Sequence, residues 1–246
     1  MMPPFFFPDT TVLSNFAYLG EVALLKQMLD GQGRWTEAVA FEIGNGVRCG
    51  QPLDALADLL GADPWLGSPI LITREADIVG VEALRRRAFA GTRLRGRYTQ
   101  HLGEAQSCYV ILHWPQFQGS AWISDDRKAV RFGRAEGITT YETIDVVRLA
   151  IQSGLIDTET ARDHMRRLCQ LGRPMREPTV ADLLAVPGTP HFVYPGPRPG
   201  SAPAPVAGAG RSQRLAGGNG AEESIPVPRG RQQIAEEADP EQMPLF

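Results

Sequence analysis

The sequence has little cysteine, no excess of positive charge and no long hydrophobic run, and each shortage excludes a class of protein. The three cysteines, Cys49, Cys108 and Cys169, have no paired spacing, which argues against a disulfide framework or a zinc site. A net charge of −3 provides no overall positive field to attract nucleic acid. No apolar run approaches the ~20 residues that cross a bilayer, and the opening residues lack the basic region of a signal peptide. We therefore expect a cytoplasmic protein.

Glycine and proline are abundant, but their excess lies mainly after Pro187. From residue 194 onward the chain has almost no large apolar side chain. Such a segment cannot bury enough apolar surface to offset the entropy lost on ordering. We predict a folded domain over residues 1–172, a C-terminal extension with a short helix over 173–193, and a disordered tail over 194–246.

Within the predicted domain, short apolar runs with β preference alternate with stretches of helical periodicity. Strands are predicted at residues 5–7, 35–43 (leading into a helical turn), 69–73, 121–124 and 137–140. Helices are predicted at residues 11–29, 52–60, 79–89, 102–113, 126–135, 143–152 and 158–171. Strands that alternate with helices predict an α/β fold with a mostly parallel sheet covered on both faces.

Acidic residues stand at the ends of several predicted elements. Asp9 follows the first strand, and Asp125 and Asp126 follow the strand at 121–124. Because ligands of parallel sheets bind outside the carboxyl ends of the strands, these positions are candidates for a site. Glu42 closes another apolar segment, and Glu104 opens the helix at 102–113.

These carboxylates suit a divalent cation such as Mg²⁺, which prefers oxygen ligands. Converging carboxylates repel one another unless they bind cations or shift their pKa values. The set predicts hydrolysis of phosphodiester bonds by metal-activated water. The alternative is structural: Asp126 or Thr11 as a helix N-cap, and Glu104 as a favourable charge on a first helical turn.

The acidic segments resemble the PIN domain, and most closely the toxin nucleases of bacterial toxin–antitoxin modules. The resemblance is carried by DTTVL at 9–13, Glu42, GEA at 103–105, SDDRKA at 124–129, GITTYET at 137–143 and SGLI at 153–156. It covers about residues 5–171. It implies a three-layer α/β/α sandwich, dependence on Mg²⁺ or Mn²⁺, cleavage of RNA, inhibition by a small antitoxin protein, and a homodimer.

The resemblance also implies roles for individual residues. Its catalytic acids correspond to Asp9, Glu42, Glu104 and either Asp126 or Asp125, and all but Glu42 are expected to bind the metal. Thr11 and Ser124 correspond to hydroxyl groups that orient the acids. The sequence departs from the family pattern at Pro8, Gln106 and Ser107, and none of these departures removes an acid.

A cluster of arginines precedes Glu104 and is predicted to contact nucleic acid, since arginine binds phosphate oxygens in a bidentate manner. It comprises Arg85, Arg86, Arg87, Arg93, Arg95 and Arg97. The alternative is a solvated helix face followed by a loop. The four histidines, His101, His113, His164 and His191, share no spacing, and we assign none of them to catalysis.

The chain ends in QMPLF, which resembles the pentapeptide by which bacterial replication and repair proteins bind the sliding clamp. The residues that carry the motif are Gln242, Leu245 and Phe246. It supports a second hypothesis, a DNA-directed nuclease recruited to the clamp. A third hypothesis is a PIN-like scaffold that binds nucleic acid or protein without cutting.

Overall fold

A computed structural model describes residues 3–89, 100–173 and 175–188. The chain divides into two units, Met1–Tyr194 and Pro195–Phe246, and all described residues lie in the first. The predicted disordered tail lies outside the described residues. None of the described helices is long and apolar enough to span a membrane.

The described elements are three short strands and a larger number of helices. The strands are β1 (Phe6–Pro8), β2 (Ala121–Ile123) and β3 (Thr139–Tyr141). The helices are α1 (Thr10–Leu19), α2 (Val22–Leu29), α3 (Glu37–Arg48), α4 (Glu75–Ala88), α5 (Leu102–His113), α6 (Arg127–Ala135), α7 (Thr143–Gln152), α8 (Thr158–Gln170) and α9 (Val180–Leu183). Two 3-10 helices cover Asp54–Leu60 and Pro115–Phe117.

The strands form one parallel sheet in the order β1-β2-β3. Phe6 lies opposite Ala121 in the first pair, and Ala121 lies opposite Thr139 in the second. Helices α1–α5 connect β1 to β2, and α6 connects β2 to β3, as parallel strands require. The predicted α/β fold with a parallel sheet is confirmed.

Helices cover both faces of the sheet because side chains alternate along each strand. Phe6, Ala121 and Ile123 enter a hydrophobic cluster with residues of α1, α2, α3, α7 and α8. Phe7 and Trp122 enter a second cluster with residues of α4, α5 and α6. Both faces of β1 and β2 are therefore buried, and Asp9, Asp125 and Asp126 lie just beyond the ends of these strands.

Three local predictions were wrong. The helix predicted at 11–29 is broken at Gly20, whose φ of 79° ends α1 in the left-handed region. Within the strand predicted at 35–43, residues 37–43 are helical and belong to α3, in which Val39 and Ile43 are buried at the four-residue spacing of one helix face. The strand predicted at 69–73 is reduced to a single bridge between Thr36 and Ile70.

The other predicted elements differ only at their ends or in helix type. The helix predicted at 79–89 begins earlier, at Glu75, and the helix at 52–60 is a 3-10 helix. The helix predicted at 126–135 begins at Arg127 because Asp126 is its N-cap.

The segment after α8 is hydrogen-bonded to a buried ion pair on α7. Arg148 and Asp145 are almost fully buried, and their side chains form an ion pair at 2.8 Å. Arg148 Nε also donates a hydrogen bond to the Asp182 carbonyl at 2.7 Å, and the Gly188 amide donates to Asp145 Oδ1 at 2.8 Å. Residues 175–188, part of the predicted extension, are thus tied to the same unit.

The replacement Arg148→Ala is expected to lower the free energy of unfolding by about 3–5 kcal/mol, because it leaves a buried carboxylate without its cation. Arg166→Ala is the control, since Arg166 pairs with Asp163 at the same sequence spacing and 2.7 Å, and with Glu177 at 3.1 Å, while its side chain is 40% accessible to solvent. The control should cost less than about 1 kcal/mol. Urea unfolding followed by circular dichroism measures both, and equal losses would contradict this account.

Candidate functional site

Asp9 is fixed where β1 ends, beside the end of β2. Its backbone N–H donates to the Ile123 carbonyl at 2.9 Å, which extends the sheet pairing by one residue. Its Oδ1 caps α1 by accepting from the Val12 amide at 3.0 Å, and it also accepts from the Thr11 hydroxyl at 2.6 Å. Its Oδ2 accepts from the Ser124 hydroxyl. Both hydroxyl groups expected to orient the acids therefore contact this carboxylate.

Glu42 and Glu104 come from helices that cross close to Asp9. The Thr10 hydroxyl donates a hydrogen bond to Glu42 on α3. Helix α5 approaches α3 at Gly103, where an added Cβ would lie 3.1 Å from Val39 Cγ2 and 3.6 Å from Glu42 Oε1. The small residue at 103 thus permits the close approach of Glu104 to Glu42. Asp9, Glu42 and Glu104 line one cavity of about 40 Å³, called here the acidic cleft.

A second grouping joins Glu104 to Asp126 and to His101. One ligand atom from each lies within 4.8 Å of the others. A single divalent ion can bridge such atoms, since its oxygen ligands lie at roughly 2–2.6 Å from it. His101 Nδ1 is 3.1 Å from Glu104 Oε1, and its ring stacks on Phe89 at 4.1 Å between centroids.

His101 is a candidate ligand to which the sequence interpretation assigned no role. The available signal was its position three residues before Glu104, because an N-cap residue and the third residue of a helix lie close together. Its left-handed backbone, with φ of 59°, and its stacking on Phe89 depend on the folded chain and have no signature in the sequence.

The structure separates the two neighbouring aspartates. Asp125 accepts hydrogen bonds from the Thr143 amide at 2.8 Å, the Thr143 hydroxyl at 2.5 Å and the Asn15 side-chain amide at 2.7 Å. Asp126 uses Oδ1 to cap α6, accepting from the amides of Lys128 at 2.7 Å and Ala129 at 2.9 Å. Asp126 is therefore both a helix cap and a member of the group around His101, whereas Asp125 is bonded to the protein through both oxygens.

A larger cavity of about 360 Å³, called here the cationic cavity, adjoins the acidic cleft and shares Thr11 with it. It is lined by Thr11, Asn15, His101, Asp125, Asp126, Arg127, Lys128 and Arg173.

Arg173 orients one of the acids through Asn15. Arg173 Nε donates to Asn15 Oδ1 at 2.5 Å, so the amide nitrogen of Asn15 faces Asp125. Arg173 lies beyond the segment that resembles the PIN domain, which is why it escaped the sequence interpretation.

Burial and mutual repulsion raise the pKa values of the acids. Burial raises the pKa of Asp9 to about 7, against the lowering effect of its hydrogen bonds with Ser124 and Thr11, and the nearby Asp125 charge adds to the rise. Burial likewise raises the pKa of Glu42 to about 7, with a further contribution from the charge of Glu104. The pKa of Asp125 is also raised by burial. A bound cation would offset these costs.

The described arginines of the predicted nucleic-acid surface lie away from the acids or are already paired. Arg85 is buried and pairs with Glu82 at 2.8 Å. Arg86 pairs with the same glutamate at 3.0 Å. Arg87 pairs at 2.9 Å with Glu136, at the far end of α6 from Asp126. At 1.5 Å per residue these two ends are roughly 15 Å apart.

The remaining predicted contacts lie outside the described residues: Arg93, Arg95 and Arg97 of the arginine cluster, and Gln242, Leu245 and Phe246 of the terminal motif. The basic side chains that the structure describes beside the acids are those of the cationic cavity, Arg127, Lys128 and Arg173.

Comparisons with protein-family profiles, with curated proteins and with solved structures found no match. The functional assignment therefore depends on the chemistry of the residues themselves.

Without divalent cations, Glu42→Gln is expected to stabilise the protein at pH 8. The pKa of Glu42 is about 7 in the folded state and has an ordinary value of 4.5. Between these pH values the folded state binds more protons than the unfolded state, so the free energy of unfolding falls as pH rises. Glutamine removes this loss, which is on the order of 1–3 kcal/mol. The gain should vanish near pH 4.

Thermal unfolding of both proteins from pH 4 to 8 measures this effect. Glu75→Gln, an exposed position on α4, is the control and should follow the wild-type pH dependence. A Glu42→Gln curve parallel to that of the wild type would show that Glu42 titrates normally.

Proposed function

We propose that the protein is a metal-dependent nuclease of the PIN type, with a three-layer α/β/α sandwich, that hydrolyses phosphodiester bonds in RNA. One observation supports this above all: acids far apart in sequence, from Asp9 to Asp126, surround two adjoining cavities. Helix capping at the ends of neighbouring strands accounts for Asp9 and Asp126, but it does not account for Glu42 and Glu104, which reach the same cleft from α3 and α5. Bringing carboxylates together costs free energy because their negative charges repel one another. A bound cation offsets this repulsion, and a cation held by acids can also promote phosphodiester hydrolysis.

The residues proposed to hold the cation are His101, Glu104 and Asp126, with Asp9 and Glu42 beside them in the acidic cleft. Carboxylate oxygens suit Mg²⁺ and Mn²⁺, and the imidazole favours the transition metal of the two. When bound, such an ion lowers the pKa of water and offsets negative charge on a phosphate.

The surrounding side chains hold this arrangement before any ligand arrives. The hydroxyls of Thr11 and Ser124 fix Asp9, and the hydroxyl of Thr10 fixes Glu42. Lys128 and Arg173, in the cationic cavity, supply positive charge for the substrate phosphates. Rigid ligands of this kind reduce the reorganisation that catalysis requires.

The neighbouring aspartates provide a matched test of the metal assignment. Asp126→Asn keeps a good N-cap residue but removes a charged ligand, so the affinity for Mn²⁺ should fall at least about tenfold. Asp125→Asn should bind Mn²⁺ within a few-fold of wild type. It should lose about 1–3 kcal/mol of stability instead, because an amide nitrogen cannot accept its partners' hydrogen bonds.

Isothermal titration calorimetry and urea unfolding distinguish the two variants. The reverse pattern, with metal affinity lost only in Asp125→Asn, would move the site to Asp125.

The nuclease proposal is tested with labelled RNA and DNA oligonucleotides of one sequence, incubated with the full chain and Mn²⁺ or Mg²⁺. We expect RNA cleavage that stops with EDTA. Glu104→Gln should reduce it by about a hundredfold or more, since loss of residues that merely orient metal ligands already costs about 10–100-fold.

Glu75→Gln, with the same change of charge at an exposed site on α4, should cleave as the wild type does. Intact RNA and DNA with both metals would reject the proposal and favour a scaffold that binds without cutting. Cleavage of DNA alone would replace RNA as the substrate.

A further inference from the structure

An apolar cavity of about 360 Å³ adjoins the acidic cleft at Glu42. It is lined by Glu37, Ala38, Phe41, Glu42, Leu102 and Gln106, and it shares Glu42 with the acidic cleft. Phe41 is half exposed, with 51% of its surface accessible, although it lies on the same helix as the buried Val39 and Ile43. Exposure of a large aromatic ring beside a charged site calls for a functional explanation.

The polar side chains of this cavity are bonded within the protein. Gln106 accepts from the Ala38 amide at 3.1 Å and donates to Glu37 at 3.2 Å. Glu37 also accepts from the Ile72 amide at 3.0 Å. These bonds tie α3 and α5 together and hold both side chains in the wall. The apolar side chains that line the cavity are those of Ala38, Phe41 and Leu102, and of these Phe41 is the exposed one.

The acidic cleft therefore adjoins two cavities of different character. It shares Glu42 with the apolar cavity that contains Phe41, and it shares Thr11 with the cationic cavity that contains Lys128 and Arg173. A single strand of nucleic acid carries groups that suit both cavities, because flat bases and negatively charged phosphates repeat along it. Bases stack on aromatic side chains, and phosphates are attracted to lysine and arginine.

We propose that the apolar cavity at Phe41 is a base-binding site, in which one unpaired nucleobase stacks on the Phe41 ring beside Leu102. A phosphate of the same strand lies in the cationic cavity near Lys128 and Arg173, so that the strand crosses the acidic cleft between them. This inference rests on the proposed function for what happens to the strand at the acids. Its consequence is selectivity for single strands, because a paired base inside a duplex cannot enter the cavity.

The test measures binding in EDTA, so that cleavage does not contribute. A single-stranded oligonucleotide carrying the fluorescent base 2-aminopurine is titrated with the full chain, and both anisotropy and quenching are recorded. We expect quenching with the wild type and with Phe41→Trp. Phe41→Ala should bind about tenfold more weakly and lose the quenching, as expected for removal of a stacking partner.

Two further variants separate this site from general effects. Val79→Ala removes a side chain on α4 that is 63% exposed and lies outside the three cavities, and it should leave binding unchanged. Lys128→Ala should keep the quenching but reduce the slope of log affinity against log salt by about one. Lys26→Ala, another exposed lysine, should leave that slope as in the wild type.

The inference is overturned if Phe41→Ala binds and quenches like the wild type, or if a duplex of the same sequence binds as tightly as the single strand. The proposed function fails separately. Cleavage that depends on Glu104 but not on Phe41 would keep the nuclease and remove the base site. Binding that depends on Phe41, without cleavage in any metal, would keep the base site and remove the nuclease.

Discussion

Burial of several carboxylates beside the carboxyl edge of one short sheet is the constraint on which this structure depends. Strands β1 and β2 are parallel neighbours, so the residues that follow them, Asp9 and Ser124, must meet. Burial raises the pKa of Asp9 and of Glu42 to about 7, because the charged carboxylates lose their hydration there, and the neighbouring acids add a smaller rise. The fold has to supply hydrogen-bond donors wherever this hydration is lost.

Most of those donors are the side-chain hydroxyl and amide groups of residues on helices next to the acids. Thr10 and Thr11 stand on the first turn of α1, and Thr143 stands on the first turn of α7. Arg173, from the segment after α8, fixes the Asn15 amide that reaches Asp125. The C-terminal segment therefore contributes to the site through Arg173, and its backbone is hydrogen-bonded to the buried pair of Arg148 and Asp145 on α7. The segment that stabilises the fold at α7 also positions a side chain of the site.

Sequence periodicity and strand-end position predicted the features that depend on local pattern. The helix at α5, the parallel sheet and the positions of Asp9 and Asp126 at element ends follow from such patterns. The helix at residues 37–43 was missed although its residues favour it: Glu37, Ala38, Ala40 and Glu42 are strong helix formers, and Val39 and Ile43 repeat at four-residue spacing. Features set by tertiary contacts did not follow from local pattern. The proposed role of His101 depends on the fold that brings it to Asp126.

The claim that these acids form a cation site is tested most directly by crystals of the full chain soaked in Mn²⁺, with anomalous diffraction recorded for manganese. The account predicts an anomalous peak at roughly 2–2.5 Å from carboxylate oxygens of Glu104 and Asp126 and from a ring nitrogen of His101, and it predicts loss of the peak in Asp126→Asn. A saturating soak that places manganese elsewhere, or nowhere on the ordered chain, would contradict it.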